Sequence, residues 1–276
     1  MIFDNIKLNV RTSGAGNYEP YLKCYIPEGS KELPRINDMP AVIICPGGGY
    51  AFRSFREDEP VALQYAADGI AAFVLEYSCD DGCGAKFPQA LCEAAEAVAL
   101  VRENAEKWLI DPNKIFVCGF SAGGHLAASI GTMFDSKEVR ENLGGDTANY
   151  RPDGMILGYP VISRMVPTHG GSFNHLLQDL ETPEMQEYLS LENRVTKDTA
   201  PAFIWATSND PAVPVINSLV FAEALSKNGV PFELNIFKDG PHGLSICTNY
   251  TAYYDAQCKP DYQHWVRDSI NWIRTF

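Results

Sequence analysis

No run of about 18 apolar residues occurs anywhere in the 276-residue chain, so no membrane-spanning helix is expected. Basic residues are outnumbered, 22 Lys and Arg against 35 Asp and Glu, for a formal net charge of −13. Proteins bind nucleic acid largely by neutralising phosphates, so this balance argues against nucleic acid and against anionic membrane surfaces. Two phosphate signatures are missing. No Gly-Lys-Ser/Thr closes a P-loop, and no Gly-x-Gly-x-x-Gly opens a helix, so no nucleotide cofactor is expected. Cys79 and Cys83 have no second Cys or His pair at zinc spacing, so no metal is expected either. Cys45, Cys92 and Cys118 sit in apolar stretches, as buried free thiols do in reducing compartments. The first residues, MIFDNIKLNVR, lack a basic region followed by an apolar one. No secretory signal is therefore read there, and a cytoplasmic location is expected. Repeats, low-complexity tracts and long linkers are also lacking. The sequence carries no signal for oligomeric state.

What is present is an alternation of short apolar runs with helical stretches. Residues 5–10 and 18–27 have partly alternating β patterns. They are followed by AVIIC (41–45), IAAFVLEY (70–77), KIFVCGF (114–120), GMILGYP (154–160), AFIWATS (202–208) and FELNIF (232–237). The later runs are nearly continuous in apolar residues, the pattern of parallel strands buried on both faces. Helices fit between them over 87–109, 216–228 and 262–275, each with an apolar face at three- and four-residue steps. Asp111-Pro112-Asn113 is expected to turn the chain into the third of the apolar runs. Eight strands with interleaved helices predict one α/β domain over 1–276, with a mostly parallel, doubly wound sheet. Residues 164–200 exceed an ordinary connection and hold two helix-like pieces. They are expected to form a small insertion over the carboxyl ends of the strands, where ligands bind in such sheets.

The stretch CGFSAGGHLA (118–127) places Ser121 between Gly119 and Gly123, after a buried strand and before a helix. A turn tight enough to lift a serine above the sheet edge leaves no room for side chains two residues to either side. The helix start offers free N–H groups, and that of Ala122 would face negative charge developing on a substrate oxygen. After AVIIC comes Pro46-Gly47-Gly48-Gly49-Tyr50, whose bare backbone N–H groups could supply the second half of an oxyanion hole. Asp210 and His242 then follow in the chain order Ser, Asp, His, each just past an apolar strand. In such a triad the histidine takes the serine proton, and the aspartate fixes its tautomer and stabilises the imidazolium. Asp239 is an alternative partner for the histidine. Asp210 could instead be a helix cap before Pro211. Of the other histidines, His125 is expected to be a buried structural residue and His264 to lie on the last helix. His169 and His175, in the insertion, could reach a substrate.

Pro46-Gly-Gly-Gly-Tyr50, Gly119-Phe-Ser-Ala-Gly-Gly-His125, Asp210-Pro-Ala-Val-Pro214 and Gly240-Pro-His-Gly-Leu244 together resemble the α/β-hydrolase superfamily. More narrowly they are similar to small bacterial acetyl-esterase and xylan-esterase-like serine esterases, from about residue 18 to the end. The resemblance implies the α/β-hydrolase fold, a triad of Ser121, Asp210 and His242, and oxyanion N–H groups from Gly48, Gly49 and Ala122. It also implies a carboxylic-ester hydrolase with no cofactor or metal, acting on a small ester or an acetylated oligosaccharide. Related enzymes often carry His-Gly-Gly-Gly where this chain has Pro46, which leaves open how the glycine loop is anchored. A peptidase or thioesterase on the same triad, and a ligand sensor on a hydrolase scaffold, remain as alternatives.

Overall fold

The structure is a computed structural model that describes residues 1–33 and 36–276. Eight strands form one sheet: β1 (Ile2–Lys7), β2 (Tyr21–Ile26), β3 (Met39–Cys45), β4 (Ala71–Glu76), β5 (Ile110–Phe120), β6 (Gly154–Gly158), β7 (Ala202–Thr207) and β8 (Phe232–Phe237). Their spatial order is β1-β2-β4-β3-β5-β6-β7-β8. Strand β2 runs antiparallel to both neighbours, and every other pairing is parallel. The helices are α1 (Glu59–Ala67), α2 (Gln89–Glu103), α3 (Ala105–Trp108), α4 (Ala122–Met133), α5 (Lys137–Leu143), α6 (Gly170–Leu177), α7 (Pro183–Tyr188), α8 (Ile216–Lys227) and α9 (His264–Ile273).

The helices cover both faces, so the core is in two parts. One packs α2, α4 and α8 onto the sheet, and the other packs α1 and α9 onto its opposite face. Helix α4, AGGHLAASIGTM, is buried at all twelve positions. Its small residues let it lie against the sheet. A Cβ on Gly131 would stand 2.0 Å from the Met155 sulfur of β6. On the other face, Trp265 of α9 stacks on Trp205 of β7 with ring centroids 4.9 Å apart.

Three local expectations are corrected. The first strand lies three residues earlier than its alternation predicts, whereas the second falls inside the expected 18–27. Leu8 and Val10 are buried as the pattern demands, yet the Asn9 and Val10 N–H groups donate to the Glu96 carboxylate on α2 instead of to a strand. Asp111-Pro112-Asn113 falls inside β5, as an excursion where the register jumps from Met39↔Ile110 to Ala41↔Ile115. Strand β8 is not buried on both faces. It is the sheet's edge, and Phe232 and Ile236 are exposed there because no strand lies beyond them.

The strands that matter for the site are parallel neighbours, so their carboxyl ends open on one rim. From that rim emerge the glycine loop after β3, Ser121 after β5, Tyr159 after β6, Asp210 after β7 and His242 after β8. No helix among the described residues is long and apolar enough to cross a membrane.

Candidate active site

Ser121 sits between β5 and α4 at φ 54°, ψ −120°, a left-handed conformation that costs a non-glycine residue strain. The turn is held by its neighbours. The Ser121 N–H donates to the Gly158 carbonyl, and its own carbonyl accepts from the Val161 and His125 N–H groups. The flanking glycines are sterically required. A Cβ on Gly119 would lie 2.1 Å from the Gly123 carbonyl oxygen. One on Gly123 would lie 2.1 Å from the Cys45 oxygen and 2.4 Å from that of Pro46.

The structure brings Ser121, His242 and Asp210 together. Ser121 Oγ is 2.8 Å from His242 Nε2, and His242 Nδ1 is 2.7 Å from Asp210 Oδ2. The Asp210 side chain is buried, and its Oδ1 accepts from the Ala212 and Val213 N–H groups at 2.8 and 3.0 Å. A carboxylate committed to two N–H donors acts as an acceptor at its other oxygen, so His242 carries its proton on Nδ1 and turns a bare Nε2 to the serine. The His242 loop is pinned as well. Gln257 Nε2 donates to its carbonyl at 2.8 Å, Thr207 Oγ1 donates to Gly240 at 2.9 Å, and Arg56 donates to the Gly243 carbonyl. Asp239 is engaged elsewhere, with Tyr262 and Lys259 at 2.7 and 3.0 Å.

Gly48 and Gly49 line the same cavity as the serine, and Ala122 follows it as the first residue of α4. Gly48 and Gly49 have φ of 123° and 66°, and neither they nor Ala122 donate a backbone hydrogen bond among the described residues. The anchoring left open by Pro46 comes from Glu57. Its buried carboxylate accepts the Gly47 N–H at 2.8 Å and the Tyr159 hydroxyl at 2.6 Å. The Tyr159 oxygen in turn accepts the Ser245 N–H, and its ring meets His242 edge-on at 5.0 Å. The Tyr77 hydroxyl donates to the Pro46 carbonyl at 2.6 Å. Glu57 thus ties the glycine loop to the histidine loop. Sequence reasoning missed it because Glu57 and Tyr159 are 102 residues apart and Glu57 stands among other charged residues in SFRED.

The remaining histidines divide as their positions dictate. His125 is buried on α4. Its Nε2 donates to the Leu189 carbonyl and its Nδ1 accepts from the Tyr50 hydroxyl, both at 2.9 Å. Burial pushes its pKa down to about 4, so it is a neutral strut joining residues 164–200 to the glycine loop. His264 stands exposed at the start of α9. His169 and His175, from residues 164–200, line a cavity of about 390 Å³ with Ser121 and His242. Partial burial, and after it the nearby His242 and His175, hold His169 below the ordinary histidine range. His169 Nδ1 meets Ser172 Oγ at 2.9 Å, and His175 Nδ1 meets Asp80 at 2.8 Å. A half-buried, acceptor-held imidazole, a hydroxyl and unpaired N–H groups at one site are equipped for nucleophilic attack on a carbonyl.

A family model described as BD-FAE matches residues 22–225. Among curated proteins, the chain is 39% identical to an endo-1,4-beta-xylanase B of Butyrivibrio fibrisolvens over 75% of its length and 33% of the relative's. It is 31% identical to an acetylxylan esterase of Xylanibacter ruminicola over 88% of its length and 47% of the relative's. The chain therefore spans a third to a half of the length of these relatives. Among solved structures, it resembles an acetyl ester-xyloside bifunctional hydrolase from Caldicellulosiruptor lactoaceticus, with a TM-score of 0.79 and 42% identity over 94% of this chain and 89% of that one. A carboxylesterase from Lactobacillus plantarum superposes with a TM-score of 0.84 at 27% identity, covering 100% and 98%.

Proposed function

The chain belongs to the BD-FAE family of α/β-hydrolases, and on that footing we propose that it is a serine carboxylesterase that removes small acyl groups, acetyl foremost, from carbohydrate alcohols. The observation that carries this reading is the chain Asp210–His242–Ser121, at 2.7 and 2.8 Å, beside unpaired backbone N–H groups. His242 Nε2 takes the Ser121 proton as Oγ attacks the ester carbon. The oxygen of the tetrahedral intermediate receives hydrogen bonds from the N–H groups of Gly48, Gly49 and Ala122. The C–O bond to the alcohol breaks, and the alcohol leaves with the proton from His242. Water then gives its proton to His242 and attacks the acyl-serine. The acid is released and Ser121 recovers its hydrogen.

Support for a carbohydrate alcohol is twofold. Two of the similar proteins are an acetylxylan esterase and an acetyl ester-xyloside bifunctional hydrolase. Residues 164–200, which we read as an insertion of this single domain, bring polar groups to the cavity and no greasy lid. His169 and His175 are examples, and neither suits a long acyl chain. The test compares kcat/KM for p-nitrophenyl acetate, butyrate, octanoate and palmitate, and measures acetate release from acetylated xylo-oligosaccharides. Activity is expected to peak at acetate with acetate set free from the sugar, and Ser121→Ala is expected to lower kcat roughly a thousandfold or more. A maximum at octanoate with no acetate from the sugar would remove the carbohydrate substrate. A Ser121→Ala enzyme near wild-type rate would remove the nucleophile.

A further inference from the structure

A second depression, of about 780 Å³, lies on the far side of the segment 54–58 from the active-site cavity. Its floor is the outer face of the β1–β2 hairpin. There Phe3 pairs with Tyr25 and Asn5 with Lys23 across the strands, with the Phe3 and Tyr25 rings in edge-on contact at 5.6 Å. Its wall is the start of α1, from Asp58 to Pro60, and Tyr250 lines it as well. Three of its aromatic residues are open to solvent: Phe3 at 66%, Phe55 at 81% and Tyr250 at 69%. These exposed rings gather at one depression, which marks it as a recognition surface.

We propose that this groove binds the unesterified sugar units of an oligosaccharide whose acetylated unit occupies the active site. The inference rests on the carbohydrate-ester reading above. Three observations favour a neutral sugar as occupant. First, the rings alternate with hydrogen-bonding groups. A pyranose has apolar C–H faces and a hydroxylated edge, so it needs both, whereas a lipid chain would need only the rings. Second, Asp58 is almost fully buried in the groove wall. Its carboxylate and that of Glu76 both hold the Lys23 ammonium, which stays partly exposed at the groove and keeps a third hydrogen to donate to a sugar hydroxyl. Third, Asp4, Asp58 and Glu59 face only one lysine there, on a chain of net charge −13. That field repels phosphates, nucleic acid and a second acidic copy of the chain, but is indifferent to a neutral glycan.

The groove and the cavity share one partition. Ser54, Arg56 and Glu57 line the active-site cavity, while Phe55 and Asp58 line the groove. The partition is rigid. Arg56 donates to the Thr251 and Gly243 carbonyls, Ser245 donates to the Arg56 carbonyl, and Glu57 holds the glycine loop. A chain bound in the groove is therefore held at a fixed position relative to Ser121.

The test uses the full chain, with Phe55→Ala and Tyr250→Ala made singly and together. Both side chains are exposed, so folding is preserved, and circular dichroism checks it. Unacetylated xylotetraose is titrated calorimetrically into each protein. Kinetics are measured on acetylated xylo-oligosaccharides and on p-nitrophenyl acetate. Wild type is expected to bind xylotetraose, and each single variant to bind it roughly five- to tenfold more weakly. KM for the acetylated oligosaccharide should rise by the same factor with kcat unchanged, and p-nitrophenyl acetate should be hydrolysed as before. No binding by wild type, or equal binding by all variants, overturns the groove while leaving the esterase reading intact. Binding that the variants lose, without acetate release from any sugar, overturns the substrate reading and leaves the groove. A change in sedimentation of Phe55→Ala, with no effect on xylotetraose, assigns the surface to self-association and overturns the proposal.

Discussion

Glu57 makes two hydrogen bonds that no neutral side chain of its size reproduces, because both partners, the Gly47 N–H and the Tyr159 hydroxyl, are donors. In Glu57→Gln one of them faces an amide N–H₂ instead of an acceptor, and the buried group left over loses its bond. The link between the glycine loop and the histidine loop is then broken, while Ser121, His242 and Asp210 keep their hydrogen bonds. We expect kcat to fall roughly tenfold or more with KM little changed, because a loosened oxyanion loop penalises the transition state and not ester binding. Steady-state kinetics on p-nitrophenyl acetate read this directly, and a rise in KM alone would show that Glu57 shapes the cavity without steadying the loop. Glu57→Asp, which keeps the two acceptor oxygens, should recover part of the rate. Residues of this kind are the ones the sequence conceals. Ser121, Asp210 and His242 stand out because each follows an apolar strand and sits among turn residues. Glu57 acts through partners that the fold alone makes adjacent.

Between strand and helix, the turn at Ser121 shows how much an element boundary depends on absent side chains. Gly123→Ala would place a carbon 2.1 Å from one main-chain oxygen and 2.4 Å from another, and neither can swing aside as a side chain could. The variant should lose about 3 kcal/mol or more of stability and most of its activity. Urea unfolding monitored by tryptophan fluorescence measures the first. A loss below about 1 kcal/mol would mean that α4 can shift from β3 without penalty. At this scale the sequence was most legible in the middle of the sheet. Strands β3 to β7 fall within a few residues of their apolar runs, because strands flanked on both sides must be apolar nearly throughout. Legibility fails at the edges. The alternation of Ile6, Leu8 and Val10 is real, but α2 supplies the partner for the later backbone through Glu96, and no single-segment pattern contains that information. The edge strand β8 shows the same limit, since exposure there follows from strand order and not from composition.

For the molecule as a whole, acid is expected to act on stability through His125. Its folded pKa is depressed to about 4 by burial, below the ordinary value near 6.5 of an unfolded histidine. Between those values the unfolded chain binds a proton that the folded one refuses, so stability falls as pH drops through this window. Glu93, raised by burial to about 7, works in the opposite sense over part of the same range. A comparison with His125→Gln cancels that background. The unfolding free-energy difference between wild type and variant should shrink by about 3 kcal/mol from pH 6.5 to pH 4, and a constant difference would mean that His125 is charged inside the protein. A further consequence lies in the cysteines. All eight are unpaired; Cys24, Cys45, Cys79, Cys92, Cys118 and Cys247 are buried, and only Cys83 and Cys258 are partly open. Burial pushes the Cys45, Cys79 and Cys247 thiols up to about 12, so they do not react until the protein around them opens. The thiols are thus a built-in set of stopwatches distributed through the fold. Alkylation followed by mass spectrometry should mark Cys83 and Cys258 at once and Cys247, in the loop beyond His242, at an intermediate time. Cys45 and Cys118, on adjacent central strands, should react last and together, at the rate of global opening. Without any introduced label, the order of modification would then measure whether the histidine loop breathes independently of the sheet that carries it.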